Sequence, residues 1–207
     1  WSYQRFSNLP ADVVLKDAEE LLPVADFNHA MSVGKTELIE NGADKQPMVL
    51  EGRHVAQLSD LFRALVLLKY GGWWLDLDTI VLRPLPNAEP YYFATVAQKR
   101  EGGGFLNPAA KANENKKLWA GRNQSHPEWD GGDSFQSTPL FIRAPNSPLA
   151  KEWATALRTQ VLSERKLKWS DTIQTMQAAI VKLDLHRYVH PPIRFCPWPF
   201  WQHDTPL

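Results

Sequence analysis

Residues Ser59 to Asp78 read SDLFRALVLLKYGGWWLDLD, and this stretch decides the fold. Its first half extends a pattern that begins at Val55. Val55, Leu58, Leu61, Phe62, Leu65, Val66 and Leu68 fall at helical spacing over about four turns. Gly71–Gly72 supplies the stop, because glycine takes the left-handed cap conformation at little cost. A strand is expected from Trp73 to Leu82, rich in Trp, Leu, Ile and Val, with Pro84 closing it.

Outward from this unit the chain alternates. Val13–Leu15 is a short apolar run, and a helix is expected from Asp17, with Ala18, Leu21 and Leu22 on its apolar side and Pro23 at its end. Residues 28–54 are polar, with one strand fragment at Met48–Leu50. Tyr91–Ala97 and Thr138–Arg143 read as strands. Ser147–Leu162 and Asp171–Leu183 read as helices, the first with Ser147 as N-cap ahead of Pro148. The basic tract Arg158–Lys168, diluted by Glu164, reads as a solvated helix face. Residues 99–135 form a long polar segment carrying Gly102-Gly103-Gly104, which lacks the Lys-Ser/Thr ending of a phosphate loop and suits an acceptor-side loop. Helices alternating with strands predict an α/β fold with a mostly parallel sheet.

The 207 residues suffice for one domain with a real core. Acidic and basic residues balance at 23 each, so no global field points to nucleic acid or an anionic membrane. Nine Trp exceed the usual share; most serve a core, and some are open to stacking on a sugar ring. Cys196 is the single cysteine, which rules out an intrachain disulfide and favours a reducing, cytoplasmic setting, with peripheral membrane association left open. No window approaches the roughly 18 uninterrupted apolar residues of a spanning helix. His126, His186 and His190 lack metal-ligand spacing.

The candidate chemistry lies in one acidic pair and one acid–base pair. Asp76 and Asp78 are two apart on the expected strand, so both carboxylates would project from one face. Like charges a few ångströms apart repel, and a shared cation relieves that cost. Hard divalent ions such as Mg²⁺ or Mn²⁺ take one or two carboxylates plus substrate phosphates. Asp60 and Arg63 stand at i, i+3 on the preceding helix, and the glycine turn would fold them toward the same strand end. An Asp and an Arg together can accept from and donate to sugar hydroxyls. The plainer readings are a solvated strand end with two surface acids and a local ion pair.

The run Ser59–Asp78 resembles the signature of glycosyltransferases with a DXD-containing sugar-binding region: Ser-Asp, Arg three residues after the Asp, Tyr-Gly-Gly, an aromatic, then Asp-x-Asp. That group includes yeast-type initiating mannosyltransferases, bacterial capsule transferases and clostridial glucosylating toxins. Leu9–Pro23, Thr138–Trp153 and Arg194–Pro199 are similar, more weakly, to other segments of its bacterial members. The resemblance implies a GT-A-like, Rossmann-type sheet flanked by helices, with the chain opening near the second strand of that fold. One domain would span 1–207, with a nucleotide-sugar-binding core over about 1–145 and C-terminal helices and an acceptor side over about 146–207. It also implies Asp78 as direct metal ligand, Asp76 at the ribose and the metal's water shell, and Trp74 packed near sugar or diphosphate. Asp60 and Arg63 would grip the donor sugar. Mn²⁺ or Mg²⁺ would be the cofactor and a UDP-sugar the favoured donor, with a GDP-sugar as the alternative. A glycan or other hydroxyl compound would be the acceptor, and transfer would retain anomeric configuration. His203 or Asp204 would complete the site, and Gln136 is a further candidate donor contact. Trp169-Ser170-Asp171-Thr172 runs into Ile173-Gln174, where many members of the group carry Gly-Pro.

Two rival classes stand beside this reading. A degenerate module would use the Trp clusters at 73–74 and 198–201 to bind carbohydrate without turnover. A haloacid-dehalogenase-type phosphatase would use Asp76 as nucleophile in Asp-x-Asp-x-Thr/Val. Here Thr79 stands one position early and Ile80 takes the required place.

Overall fold

The computed structural model describes residues 11–38, 48–77, 79–81, 83–97, 131–135, 140–168 and 171–190. Four α-helices and eight strands run through them in the order α1 (Val24–Ser32), β1 (Lys35–Leu38), β2 (Met48–Glu51), α2 (Val55–Tyr70), β3 (Gly72–Trp74), β4 (Tyr91–Ala97), β5 (Gly131–Phe135), β6 (Leu140–Ile142), α3 (Pro148–Val161), β7 (Lys166–Lys168), α4 (Asp171–Lys182) and β8 (Val189–His190). The fold is α/β, consistent with a GT-A-like domain. Among the described residues, no helix is long and apolar enough to cross a membrane.

Strand directions are mixed where a mostly parallel sheet is expected. One sheet has the order β2-β1-β7, the other β3-β6-β4-β5 with β8 also on β4. Pairings β1–β2, β3–β6, β4–β5 and β4–β6 are antiparallel, while β1–β7 and β4–β8 are parallel. The two parallel partners are far apart in sequence, as a parallel pair requires a long crossover.

The core lies between the larger sheet and the helices. Leu58, Leu61, Ala64 and Leu67 of α2 face Leu149, Trp153, Leu157 and Val161 of α3 across a buried cluster that also takes Met176 and Ile180 of α4. On β6, Leu140 and Ile142 point into this cluster. Phe141, on the opposite face, stacks against Trp73 at 4.9 Å and tilts against Tyr92 at 5.7 Å. The larger sheet is therefore packed on both faces beside the point where α2 hands over to β3.

Several expectations are corrected. The first long helix starts after Pro23 rather than ending at it. Asp17 caps only a 3₁₀ turn, Ala18–Glu20, and Pro23 occupies the N-cap of α1. The cause is proline's fixed φ, which suits the opening of a helix and not its interior. The strand expected over Trp73–Leu82 stops at Trp74, because the amide of Thr79 donates to the Asp76 carbonyl at 2.9 Å and closes a turn. The basic tract is not one helix face: α3 ends at Val161, and Lys166–Lys168 is a strand parallel to β1.

Arg53 joins the smaller sheet to α3. Its buried guanidinium donates to the carbonyls of Lys35 at 2.8 Å and Val161 at 3.0 Å, and further bonds run to the carbonyls of Gln160, Ser163 and Arg165. A cation at a helix C-terminus also meets the negative end of the helix dipole. Burial lowers the Arg53 pKa from its ordinary value. Gly34, at φ 71, is needed beside it, since a Cβ there would stand 2.5 Å from the guanidinium carbon.

Candidate donor-sugar site

Helix α2 carries half of the site. His54 opens it, its Nδ1 accepting from the Ala56 amide at 3.2 Å, a cap that the sequence pattern does not announce. Gly71 closes it at φ 68, ψ −159, a conformation essentially reserved for glycine. A Cβ there would lie 2.7 Å from the Arg143 carbonyl oxygen, so glycine is also what lets β3 start tight against the segment after β6.

This reversal brings four of the expected site residues together. Arg63 Nη1 pairs with Asp60 Oδ1 at 3.2 Å, and its Nη2 pairs with Asp76 Oδ1, also at 3.2 Å. Trp74 donates from Nε1 to the same Asp76 oxygen at 2.7 Å. The Arg63 guanidinium carbon lies 5.4 Å from the centre of the Trp74 ring, and Phe62 meets that ring edge-on at 6.3 Å. Asp78, the second acid of the motif, lies outside the described residues. So do Gln136, Cys196, His203, Asp204, the Arg194–Pro199 element, His126 and the glycines at 102–104.

Burial differs sharply across the array. The Arg63 side chain is 5% exposed and that of Asp60 15%, whereas Asp76 keeps 32%. Burial pushes the Asp60 carboxyl above its ordinary 3.8, and the nearby Asp76 charge adds to the rise. A hydrogen bond from Thr172 and the Arg63 charge oppose it. Asp76 stands past the end of β3, in the turn that Thr79 closes. Aspartate is favoured at the first position of such turns, so Asp76 sits in a turn rather than on an extended strand face.

An open cleft of about 290 Å³ runs over this array, lined by Ala56, Gln57, Ser59, Asp60, Arg63, Asp76 and Ile173. Two contributors escaped the sequence reading. Thr172 on α4 donates from its hydroxyl to Asp60 Oδ2 at 2.6 Å, and its neighbour Ile173 forms part of the wall. Nothing in the local pattern marks them, because tertiary packing, against α3 and β5, brings α4 to the site. Gln57 is held in the wall by Thr36, which donates to Oε1 at 2.7 Å, and by its own Nε2 donating to the Lys168 carbonyl at 3.2 Å.

The donor set suits a hard divalent cation. Asp76 offers an oriented, partly exposed carboxylate at the cleft, and Mg²⁺ or Mn²⁺ needs only one or two carboxylates when substrate phosphates complete the shell. Among the described residues, no group of three or more His, Cys, Asp or Glu is placed to hold an ion alone.

A guanidinium bridging two acids beside an indole offers hydrogen-bond donors and acceptors side by side. The sequence model of one family, described as a glycosyltransferase sugar-binding region containing the DXD motif, matches residues 15–94. The match runs from before α1 into β4 and takes in every described member of the array except Thr172 and Ile173. Neither curated proteins nor solved structures gave a significant match. The match supports a glycosyltransferase-type or sugar-binding role for this stretch.

Proposed function

We propose that this chain is a retaining, metal-dependent glycosyltransferase that moves a sugar from a nucleoside-diphosphate sugar, with UDP-sugar favoured over GDP-sugar, to a glycan or other hydroxyl acceptor. The observation that supports it best is Arg63 bridging Asp60 and Asp76 beside Trp74 under an open cleft. Each carboxylate oxygen keeps acceptor capacity beyond the bonds it makes inside the protein. Asp60 can therefore accept from donor-sugar hydroxyls while Arg63 holds its position.

Asp78 and Asp76 would hold Mn²⁺ or Mg²⁺, which when bound neutralises charge on the departing diphosphate. Both Asp60 oxygens are already engaged, Oδ1 by Arg63 and Oδ2 by Thr172. That favours Asp60 as an orienting group over a nucleophile, and transfer on one face of the sugar. The bond from the anomeric carbon to phosphate breaks, the bond to the acceptor oxygen forms on the same face, and the acceptor proton passes to the departing phosphate.

The test is turnover. Purified protein is incubated with UDP- and GDP-sugars and Mn²⁺, and nucleoside diphosphate release and product anomer are read by NMR. Metal-dependent release with retained configuration is expected. Binding without release would favour a non-catalytic sugar-binding module. Release of phosphate from simple monoesters would favour the phosphatase class.

A further inference from the structure

We propose that Thr172 is a positioning residue of the donor site, fixing Asp60 so that Arg63 bridges two acids instead of closing on one. This rests on the donor-binding reading of Asp60 and goes beyond it, assigning a role to α4, which lies outside the matched region.

Asp60 and Arg63 stand at i, i+3, close enough for a two-point contact in which both carboxylate oxygens meet both terminal guanidinium nitrogens. Such a fork would take Nη2 away from Asp76. The structure has the other arrangement: Oδ1 pairs with Nη1, Oδ2 is held by the Thr172 hydroxyl at 2.6 Å, and Nη2 reaches Asp76. The Thr172 bond thus sets the rotation of the carboxylate. It is shielded from bulk solvent, since Thr172 is 1% exposed.

The anchor is itself held. The Thr172 carbonyl accepts from the Thr175 hydroxyl at 2.6 Å, and Asp171 at the start of α4 accepts from the Lys168 amide at 3.0 Å. Ile173, the next residue, lines the cleft. The first turn of α4 therefore sets the Asp60 carboxylate and part of the cleft wall together, so a shift of α4 moves both.

Thr172→Val, which keeps the shape and removes the hydroxyl, is compared with Thr172→Ser and wild type. Calorimetry with Mn²⁺ measures binding of UDP-glucose, UDP-galactose, GDP-mannose, UDP and GDP. For the nucleotide sugar that wild type binds best, Thr172→Val is expected to weaken affinity about tenfold, as loss of one hydrogen bond to a charged group does. Affinity for the matching nucleoside diphosphate stays within about twofold, and Thr172→Ser restores the sugar preference. Equal losses for diphosphate and sugar nucleotide, or no rescue by serine, overturn the positioning role while leaving the proposed function standing. A wild type that binds neither sugar nucleotides nor diphosphates removes the proposed function and the donor role together. The bond is tested separately in ligand-free protein by the carboxyl ¹³C resonance of Asp60, assigned with Asp60→Asn. It should move in Thr172→Val and return in Thr172→Ser; an unmoved resonance overturns the inference even if donor binding is confirmed.

Discussion

Arg63 and Asp76 are thirteen residues apart and meet at 3.2 Å because Gly71 reverses the chain between them. One side of the contact comes from a helix and the other from a turn beyond a short strand. Neither element alone would form the site. The pair joins the helical half of the motif to its acidic half.

Removing Arg63 should therefore cost more than a surface ion pair. Its side chain is 5% exposed, and Arg63→Ala would leave Asp60 buried with only Thr172 opposing the desolvation. A loss of about 3 kcal/mol in urea denaturation is expected. Arg63→Lys should recover only part of it, since one ammonium cannot match two nitrogens aimed at two acids. A change below about 0.5 kcal/mol for the alanine variant would place the bridge among ordinary surface pairs.

Asp60 gives a pH signature of definite sign. Its carboxyl is raised above 3.8 in the folded protein, with burial the largest cause. A group raised in this way contributes stability that is full below the unfolded value and is lost as pH rises through the folded value. Asp60→Asn lacks that loss. Its melting temperature, taken relative to wild type, should rise as pH is increased from 3.8 upward through the raised carboxyl range, as followed by calorimetry. A constant offset would show that Asp60 titrates as an ordinary carboxylate.

Gly71→Ala should damage fold and site together. It places a side chain at φ 68, ψ −159 with its Cβ 2.7 Å from the Arg143 carbonyl oxygen. About 2 kcal/mol or more should be lost from the backbone conformation alone, measured by denaturant titration. Gly72→Ala is the control: φ is 89, but a Cβ there meets nothing within 4 Å, so the smaller loss is expected.

The motif run was largely legible in the sequence because its signals are local. Leucine spacing marks α2, Gly71 marks its end, and Ser147-Pro148 marks the start of α3. Of the smaller sheet only β2 was legible, through the strand fragment at Met48–Leu50. Lys35–Leu38 and Lys166–Lys168 are short and polar, with Thr36 and Leu167 as their only fully buried residues, so neither shows a strand pattern. They exist as strands because β1 pairs with the nearby β2 on one side and the distant β7 on the other, with Arg53 and Gln57 tying the edges to the helices. Asp60, Arg63 and Asp76 could be grouped from spacing, and Trp74 from the family resemblance. Thr172 could not, since 112 residues separate it from Asp60 and only helix packing brings it there. The turn that ends β3 at Trp74 was hidden by the apolar residues Leu75, Leu77 and Ile80, which imitate a continuing strand. Leu77 and Ile80 are in fact exposed.

The most direct test of metal-assisted nucleotide-sugar binding is thermal stabilisation of wild type and Asp78→Ala by UDP- and GDP-sugars, with and without Mn²⁺. At a ligand concentration about a hundredfold above Kd, mass action gives about 2.7 kcal/mol, a clear rise in melting temperature. The rise should require Mn²⁺ in wild type and be lost in Asp78→Ala. No stabilisation of wild type by any nucleotide sugar, or an equal response from both proteins, would contradict it.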